Sequence, residues 1–285
     1  MKKALSELLF PDGVRRAFLR RIVNIPAVTP IWKRFEFGSL ELRMEFGISE
    51  RPYQLYGVYR SAQLARRLGI DSISVIEFGV AGGLGLLEME RIAAEVGKAL
   101  QMRICVFGFD LGTGLPNPID FRDMPHIWES GYYQMDEACL RAKLTSAKLL
   151  IGDVARTVPE FLRSGNPPIG YISFDLDYYT STKKALGIFS GDAESRLPRV
   201  YCYFDDIMGP DIACHNEYGG ELLAIKEFNS REDLKLCQIF GMDHIRVTPA
   251  AWHEQIFVLH DFRHPLYTVN VAHEREIRRQ LSLTP

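Results

Sequence analysis

Four aspartates in two short runs hold the densest chemistry in the chain: Asp175 and Asp177 in Ile172-Ser-Phe-Asp-Leu-Asp-Tyr-Tyr-Thr-Ser-Thr182, and the pair ending Val200-Tyr-Cys-Tyr-Phe-Asp-Asp206. Both runs begin with apolar and aromatic residues of strand character, so both sets of acids fall where a strand ends. A carboxylate buried there costs several kcal/mol unless it is paired, hydrogen-bonded or bound to a metal. Were the two strands neighbours, about 4.8 Å apart, their terminal carboxylates would converge on one small volume. Such a group repels itself unless protons or a cation intervene. Oxygen-only ligation selects a hard divalent cation, Mg²⁺ or else Ca²⁺ or Mn²⁺, and not zinc. Asp175, Asp205 and Asp206 are the candidate metal ligands. Asp177, one step further along, is a candidate catalytic residue, or else holds the next loop through Tyr179, Ser181 or Thr182. The alternative is that all these acids cap helices and bond backbone amides with no metal present.

A second constellation precedes them. Ser74-Val-Ile-Glu-Phe-Gly-Val-Ala-Gly-Gly-Leu-Gly-Leu-Leu87 is an apolar strand that breaks into glycines and reopens as an amphipathic helix. A dinucleotide fingerprint counted from Gly79 requires glycine at positions 81 and 84, where Ala81 and Leu84 stand. What remains is an acid, Glu77, followed by Gly79, Gly82 and Gly83, a candidate cofactor cradle or a helix-packing turn without a ligand. Asp110 closes the next strand, where a carboxylate can accept bonds from paired ribose hydroxyls; a turn cap is the other reading. Asp153 follows Leu150-Ile-Gly152 at the next strand end, a further candidate cofactor contact, and it also opens a helix, so capping alone would explain it.

These residues need a sheet to position them. From 71 to about 206, strands at 73–78, 103–109, 147–151, 169–175 and 199–205 alternate with helices near 84–100, 131–145, 154–164 and 181–190, the pattern of a parallel sheet covered on both faces. Ligands bind such sheets outside the strands' carboxyl ends, where strand order reverses. Later come a helix near 217–230, apolar runs at 234–240, 245–247 and 254–259, and a charged tail from Arg275. Residues 1–70 read as an N-terminal helical extension, 71–270 as the α/β domain and 271–285 as a tail. Val14, Phe18, Leu19 and Ile22 share one helix face, with Arg15, Arg16, Arg20 and Arg21 on the others; the Arg cluster suits a solvated face or a homo-oligomer contact through the N-terminal helices, with a patch for an anionic partner as the alternative.

A hydrophobic content of 47% supports a sizeable core, and 34 basic against 36 acidic residues gives no footprint for nucleic acid. Five cysteines without a Cys-x-x-Cys pair argue against a disulfide framework or zinc site and suit a reducing cytoplasm, and Cys105 and Cys202 fall in strands as core filling. No run is apolar enough to cross a membrane as a helix, and Glu7 and Pro11 interrupt any signal-peptide core.

The glycine turn resembles motif I of class I S-adenosylmethionine-dependent methyltransferases. Asp175-x-Asp177-x-Tyr179-x-Ser181-Thr182, Phe109-Asp110 with Gly114-Leu115-Pro116, and Asp205-Asp206 together resemble the motifs of macrocin-type O-methyltransferases, which methylate macrolide sugar hydroxyls. The resemblance spans 74–209. Leu111-Gly112-Thr113 and Ile207-Met208 depart from it, and the first and last 70 residues lie beyond it. It implies a Rossmann-like α/β fold with a mostly parallel seven-stranded sheet, the late strands forming a reversed edge. It also implies S-adenosylmethionine held at Glu77, Gly79, Gly82, Gly83, Asp110 and Asp153, a Mg²⁺ ion at Asp175, Asp205 and Asp206, and a small hydroxylated acceptor such as a sugar or natural product. The acceptor's proton then needs a base. His215, nearest the acidic pair in sequence, leads His260 and His264, since histidine titrates near neutrality. The long loop 111–133, with Trp128, Tyr132 and Tyr133, is a candidate lid or a packed surface loop. The competing readings are a catalytically silent cofactor- or partner-binding module and a nicotinamide-dependent oxidoreductase.

Overall fold

Along β1 (Ser72–Phe78) every residue after the first is buried, and successive side chains enter opposite layers: Ile73 and Val75 one, Ile76 and Phe78 the other. That two-sided burial explains the unbroken apolar run in the sequence. The computed structural model describes residues 28–242 and 249–272, with Leu19, Arg21, Val23 and Ile25 before them. β1 lies among β2 (Arg103–Asp110), β3 (Lys148–Ile151), β4 (Ile169–Phe174) and β5 (Arg196–Phe204), all parallel. The last two strands, β6 (Leu234–Gln238) and β7 (Ile256–Asp261), complete a seven-stranded sheet in the order β3-β2-β1-β4-β5-β7-β6, with β7 antiparallel to both its neighbours. Strand order reverses between β1 and β4. This is the Rossmann-like class I arrangement expected from the sequence, reversed edge included.

A row of phenylalanines crosses the sheet. Phe109, Phe78, Phe174, Phe204 and Phe257 have successive ring centroids 4.8, 5.3, 4.6 and 5.3 Å apart. Phe78 is paired in register with Phe109 on one side and Phe174 on the other, and Phe174 with Phe204. Each buried ring contributes about 1.5–3 kcal/mol. The row therefore locks four strand ends level, and the next residues, Asp110, Gly79, Asp175 and Asp205, leave the sheet side by side.

One face is covered by α3 (Pro52–Arg67) and α4 (Leu84–Leu100), the other by α6 (Val154–Arg163), α7 (Tyr179–Ala185) and α8 (Gly220–Phe228). α3 belongs to the stretch read as an extension, yet it is a full layer of the sheet. A Cβ on Gly57 would come within 2.2 Å of the Tyr171 ring, and one turn on, Ser61 Oγ donates to Gly170 O at 2.6 Å, so small residues let α3 lie close on β4. Before it come α1 (Val28–Phe35) and α2 (Leu40–Phe46), the latter capped by Ser39 and ended by left-handed Gly47. Buried Arg43 of α2 pairs with Glu36 and with Glu95 of α4.

The helix expected over 131–145 is confined to α5 (Glu137–Lys143), because Asp136 accepts a bond from Cys139 N at 2.9 Å and starts the helix there. The helix expected at 181–190 begins at Tyr179, and residues 186–190 continue it as a 3₁₀ turn. Val14, Phe18, Ile22, the 245–247 run and the tail from Arg275 lie outside the described residues. Among the described residues, no helix is long and apolar enough to cross a membrane. Cys202 is buried and Cys105 half-buried, both in strands.

Candidate functional site

A cavity of about 460 Å³ opens over the carboxyl ends of β1 and β4, where the strand order reverses, which is where sheets of this kind take their ligands. Its walls run from Gly152 and Asp153 after β3, across the glycine turn and Asp110, to Asp175, Asp177, Asp205 and Asp206.

The glycine turn is held from three sides. Gly79 has φ +81°, and a Cβ there would sit 1.7 Å from Asp175 O, so the turn lies directly on the end of β4. At Gly83 (φ +85°) a Cβ would strike Leu140, and at Gly85 it would meet the Glu77 carboxylate at 2.0 Å. Gly82 differs: a Cβ would meet no atom within 4 Å, and the residue lines the cavity. Asp110 Oδ2 accepts from Val80 N (2.8 Å) and Ala81 N (2.9 Å), and Oδ1 accepts from Gly112 N (2.6 Å). Asp110 thus ties two loops together while lining the cavity. Asp153 caps α6 through Ala155 N at 2.8 Å and pairs with Lys184 at 3.1 Å while lining the cavity, so its capping role is present whatever else it does.

Glu77 is buried beneath the turn. Gln54 Nε2 of α3 bonds its Oε1 at 3.4 Å and Gly85 O at 3.3 Å, and Glu77 Oε2 has no partner. Burial, then the nearby Asp175 charge, push its carboxyl well above the usual range.

Carboxylate oxygens of Asp175, Asp205 and Asp206 lie within 4.8 Å of one another. The two acidic runs do converge, as adjacency of β4 and β5 requires. Burial first, then mutual repulsion, raise Asp175 and Asp206 well above the carboxylate range. Asp205 and Asp206 are held from behind. Tyr203 OH donates to Asp205 Oδ1 at 2.5 Å, and Gln255 Nε2 donates to Asp205 O at 2.8 Å. Asp206 Oδ2 accepts from Asp177 N at 2.8 Å, and Glu221 Oε2 accepts from Asp206 N at 3.0 Å. Glu221 is fully buried, takes a 3.3 Å bond from Thr182 Oγ1, and is itself raised by burial and by Asp206.

Asp177 is 5% exposed with φ +59°, and its carboxyl, which lines the cavity, is pushed up to about 8 by burial and then by Asp175 and Asp205. His215 stands elsewhere. It is half-buried, held below its usual range by burial and by His126, and is not part of the cavity wall. His260 and His264 are further away: antiparallel β7 carries them towards the far end of β5, where His260 Nδ1 lies 2.9 Å from Tyr267 OH and His264 Nε2 lies 3.2 Å from Arg196 O. Those two are structural.

The loop after β2 supplies Leu115, Pro116, Trp128 and Tyr133 to the cavity wall. Buried Asp123 pins it, accepting from Ile119 N at 2.8 Å and from Thr180 N, at the start of α7, at 2.9 Å. Three contributors escaped the motif reading. Glu221 sits in a Gly-Gly-Glu turn legible as a cap, whereas Arg51 and Gln54 belong to a helix that carried only an amphipathic signal.

No family model matches the chain, and no curated protein matches it. Solved structures similar to it include the calicheamicin methyltransferase CalS11, 22% identical, covering 86% of this chain and 90% of that one with a TM-score of 0.49. The O-methyltransferase NovP is 17% identical, covering 87% and 99% with a TM-score of 0.49. An O-methyltransferase from Bacillus cereus in complex with SAH is 13% identical, covering 90% and 94% with a TM-score of 0.39. The sheet order itself carries the fold assignment.

Proposed function

We propose that this chain is an S-adenosylmethionine-dependent methyltransferase that methylates a hydroxyl of a small molecule, a sugar or natural product, with a divalent cation in the site. The observation that carries this reading is one cavity in which a glycine cradle and three converging carboxylates face the same space. Gly82 presents open space where a cofactor needs close backbone approach, and Glu77 Oε2 is a buried polar atom still lacking a partner. These residues fit the cofactor. The cation fits as well, since oxygens within 4.8 Å of one another are the donor set of a hard ion.

When bound, S-adenosylmethionine supplies an electrophilic sulfonium methyl, and Mg²⁺ lowers the pKa of a hydroxyl it contacts. The chain's own residues do the rest. Gly79, Gly82, Gly83, Glu77, Asp110 and Asp153 would hold the cofactor, and Asp175, Asp205 and Asp206 would hold the cation. Trp128 and Tyr133 form part of the cavity wall. Alignment of acceptor and methyl is worth on the order of 7–11 kcal/mol. Asp177 is the better placed of the two candidate bases, because it lines the cavity and His215 does not.

Titration calorimetry with S-adenosylmethionine and S-adenosylhomocysteine, with Mg²⁺ and after chelation, tests this. Cofactor binding should be micromolar, lost in Asp110→Ala and kept in Asp175→Ala, while Mg²⁺ binding is lost in Asp175→Ala. A wild-type protein that binds neither adenosyl compound overturns the reading.

A further inference from the structure

The cavity's acids are numerous and its cations few. Glu77, Asp175, Asp177, Asp205 and Asp206 crowd the end over β1, β4 and β5, and the cationic side chains of the whole wall are Arg51 and Lys184. Lys184 is paired with Asp153 beyond β3, at the other end. Arg51 alone faces the acid-rich end. It is the residue before α3, so it comes from outside every motif read in the sequence.

Its placement is fixed. Arg51 Nη1 donates to Tyr53 OH at 2.5 Å, and the Tyr53 ring stacks on Tyr203 with centroids 3.8 Å apart. Tyr203 in turn bonds Asp205. Among the described residues, no other guanidinium nitrogen of Arg51 has a hydrogen-bond partner. Donors held in one direction, not buried and facing a cavity, are available to a ligand. A guanidinium presents them as a planar fork that matches a carboxylate. At this end of the cavity its neighbours are carboxyls, which offer no such fork.

We infer that Arg51 reads the α-carboxylate of the cofactor's amino-acid moiety, making the site selective for a zwitterionic ligand over one that carries the ammonium alone. This rests on the cofactor assignment made above. The adenosine end is taken by the β2 and β3 side of the cavity, so the amino-acid end falls over β1 and β4, beside Arg51. Charge neutralisation of Glu77 and Asp175 is the competing role, and the two separate by sign. Removing the guanidinium should weaken a ligand bearing a carboxylate, and should leave unchanged or strengthen one bearing only an ammonium, because the repulsion between two cations is then gone.

Calorimetry on wild type and Arg51→Gln with three probes reads this out: S-adenosylhomocysteine, its decarboxylated analogue, which keeps the amine, and 5′-methylthioadenosine, which lacks both groups. The expected result is a roughly 10–100-fold loss for S-adenosylhomocysteine, the scale of one charge-assisted contact, with methylthioadenosine unchanged and the decarboxylated amine unchanged or tighter. Wild type should itself prefer S-adenosylhomocysteine to the decarboxylated amine by at least about tenfold, a comparison that needs no variant. Arg51→Lys, which keeps the charge but not the fork, should lie between wild type and Arg51→Gln, and takes its place if melting shows Arg51→Gln unfolded. Equal losses on all three probes, no loss on S-adenosylhomocysteine, or no wild-type preference each overturn the inference. A wild type that binds none of the three instead overturns the cofactor assignment beneath it.

Discussion

Replacing Asp177 by Asn should reverse the pH dependence that this carboxyl imposes on the cation-free protein. Its pKa stands at about 8 in the fold against an ordinary 3.8, so the folded chain keeps a proton that the unfolded chain has lost. A group raised in this way contributes stability that is complete below pH 4 and drains away as pH climbs towards 8. Each unit in that window is worth about 1.4 kcal/mol, so the two units from pH 5 to pH 7 remove about 3 kcal/mol. Asn cannot titrate. It also tolerates the left-handed backbone at φ +59° and keeps the main-chain N–H that bonds Asp206. Urea unfolding of both proteins in EDTA at pH 5, 6 and 7 gives the comparison. The variant's stability relative to wild type should rise by about 3 kcal/mol over that range, and the depressed histidines, His215 and His260, cancel in the difference because both proteins carry them. Saturating Mg²⁺ should narrow the gap at pH 7. A difference that stays within about 1 kcal/mol across the range, or that moves the other way, would refute the account of a buried, proton-holding cluster.

Two further substitutions probe the surroundings. Gly82→Ala should fold with a melting temperature close to wild type yet lose S-adenosylhomocysteine affinity in calorimetry, since its Cβ enters only the cavity; Gly79→Ala, strained at φ +81° and 1.7 Å from Asp175 O, should fail in the melt itself. Glu221→Ala should cost about 2–4 kcal/mol in urea unfolding, because it strips the Asp206 N–H of its buried acceptor and leaves a void, while Glu221→Gln, which can still accept that bond, should recover most of the loss.

The strands around the site were legible because burial on both faces writes an unbroken apolar run, and the acids that end β4 and β5 were legible because a charge after such a run has few places to go. Phe109-Asp110, Phe174-Asp175 and Phe204-Asp205 repeat one phrase at three strand ends. That repeat is the written trace of the aromatic row, yet the row becomes visible only with the register that aligns it. Asp110 and Asp153 kept two readings because an aspartate at a strand end can cap and also bind, and the structure shows both capping in view of the cavity. His215 was ranked by distance along the chain, which says nothing about the side from which a loop returns. Arg51 and Gln54 left no trace, since helix periodicity identifies a buried face and not what its first turn reaches.

The insertion of β7 between β5 and β6 sets an order of assembly. β6 pairs with β7 and not with β5, so until residues 256–261 are made, β5 is a bare sheet edge and β6 has no strand to join. Gln255, just ahead of β7, accepts the Phe204 N–H at 3.0 Å and donates to Asp205 O at 2.8 Å. The acidic corner is therefore completed by a segment that follows all five parallel strands in the chain. A chain arrested before Gln255 would carry its glycine turn and all four parallel strand pairings, but it would offer an unpaired edge to other chains in place of a finished acidic corner.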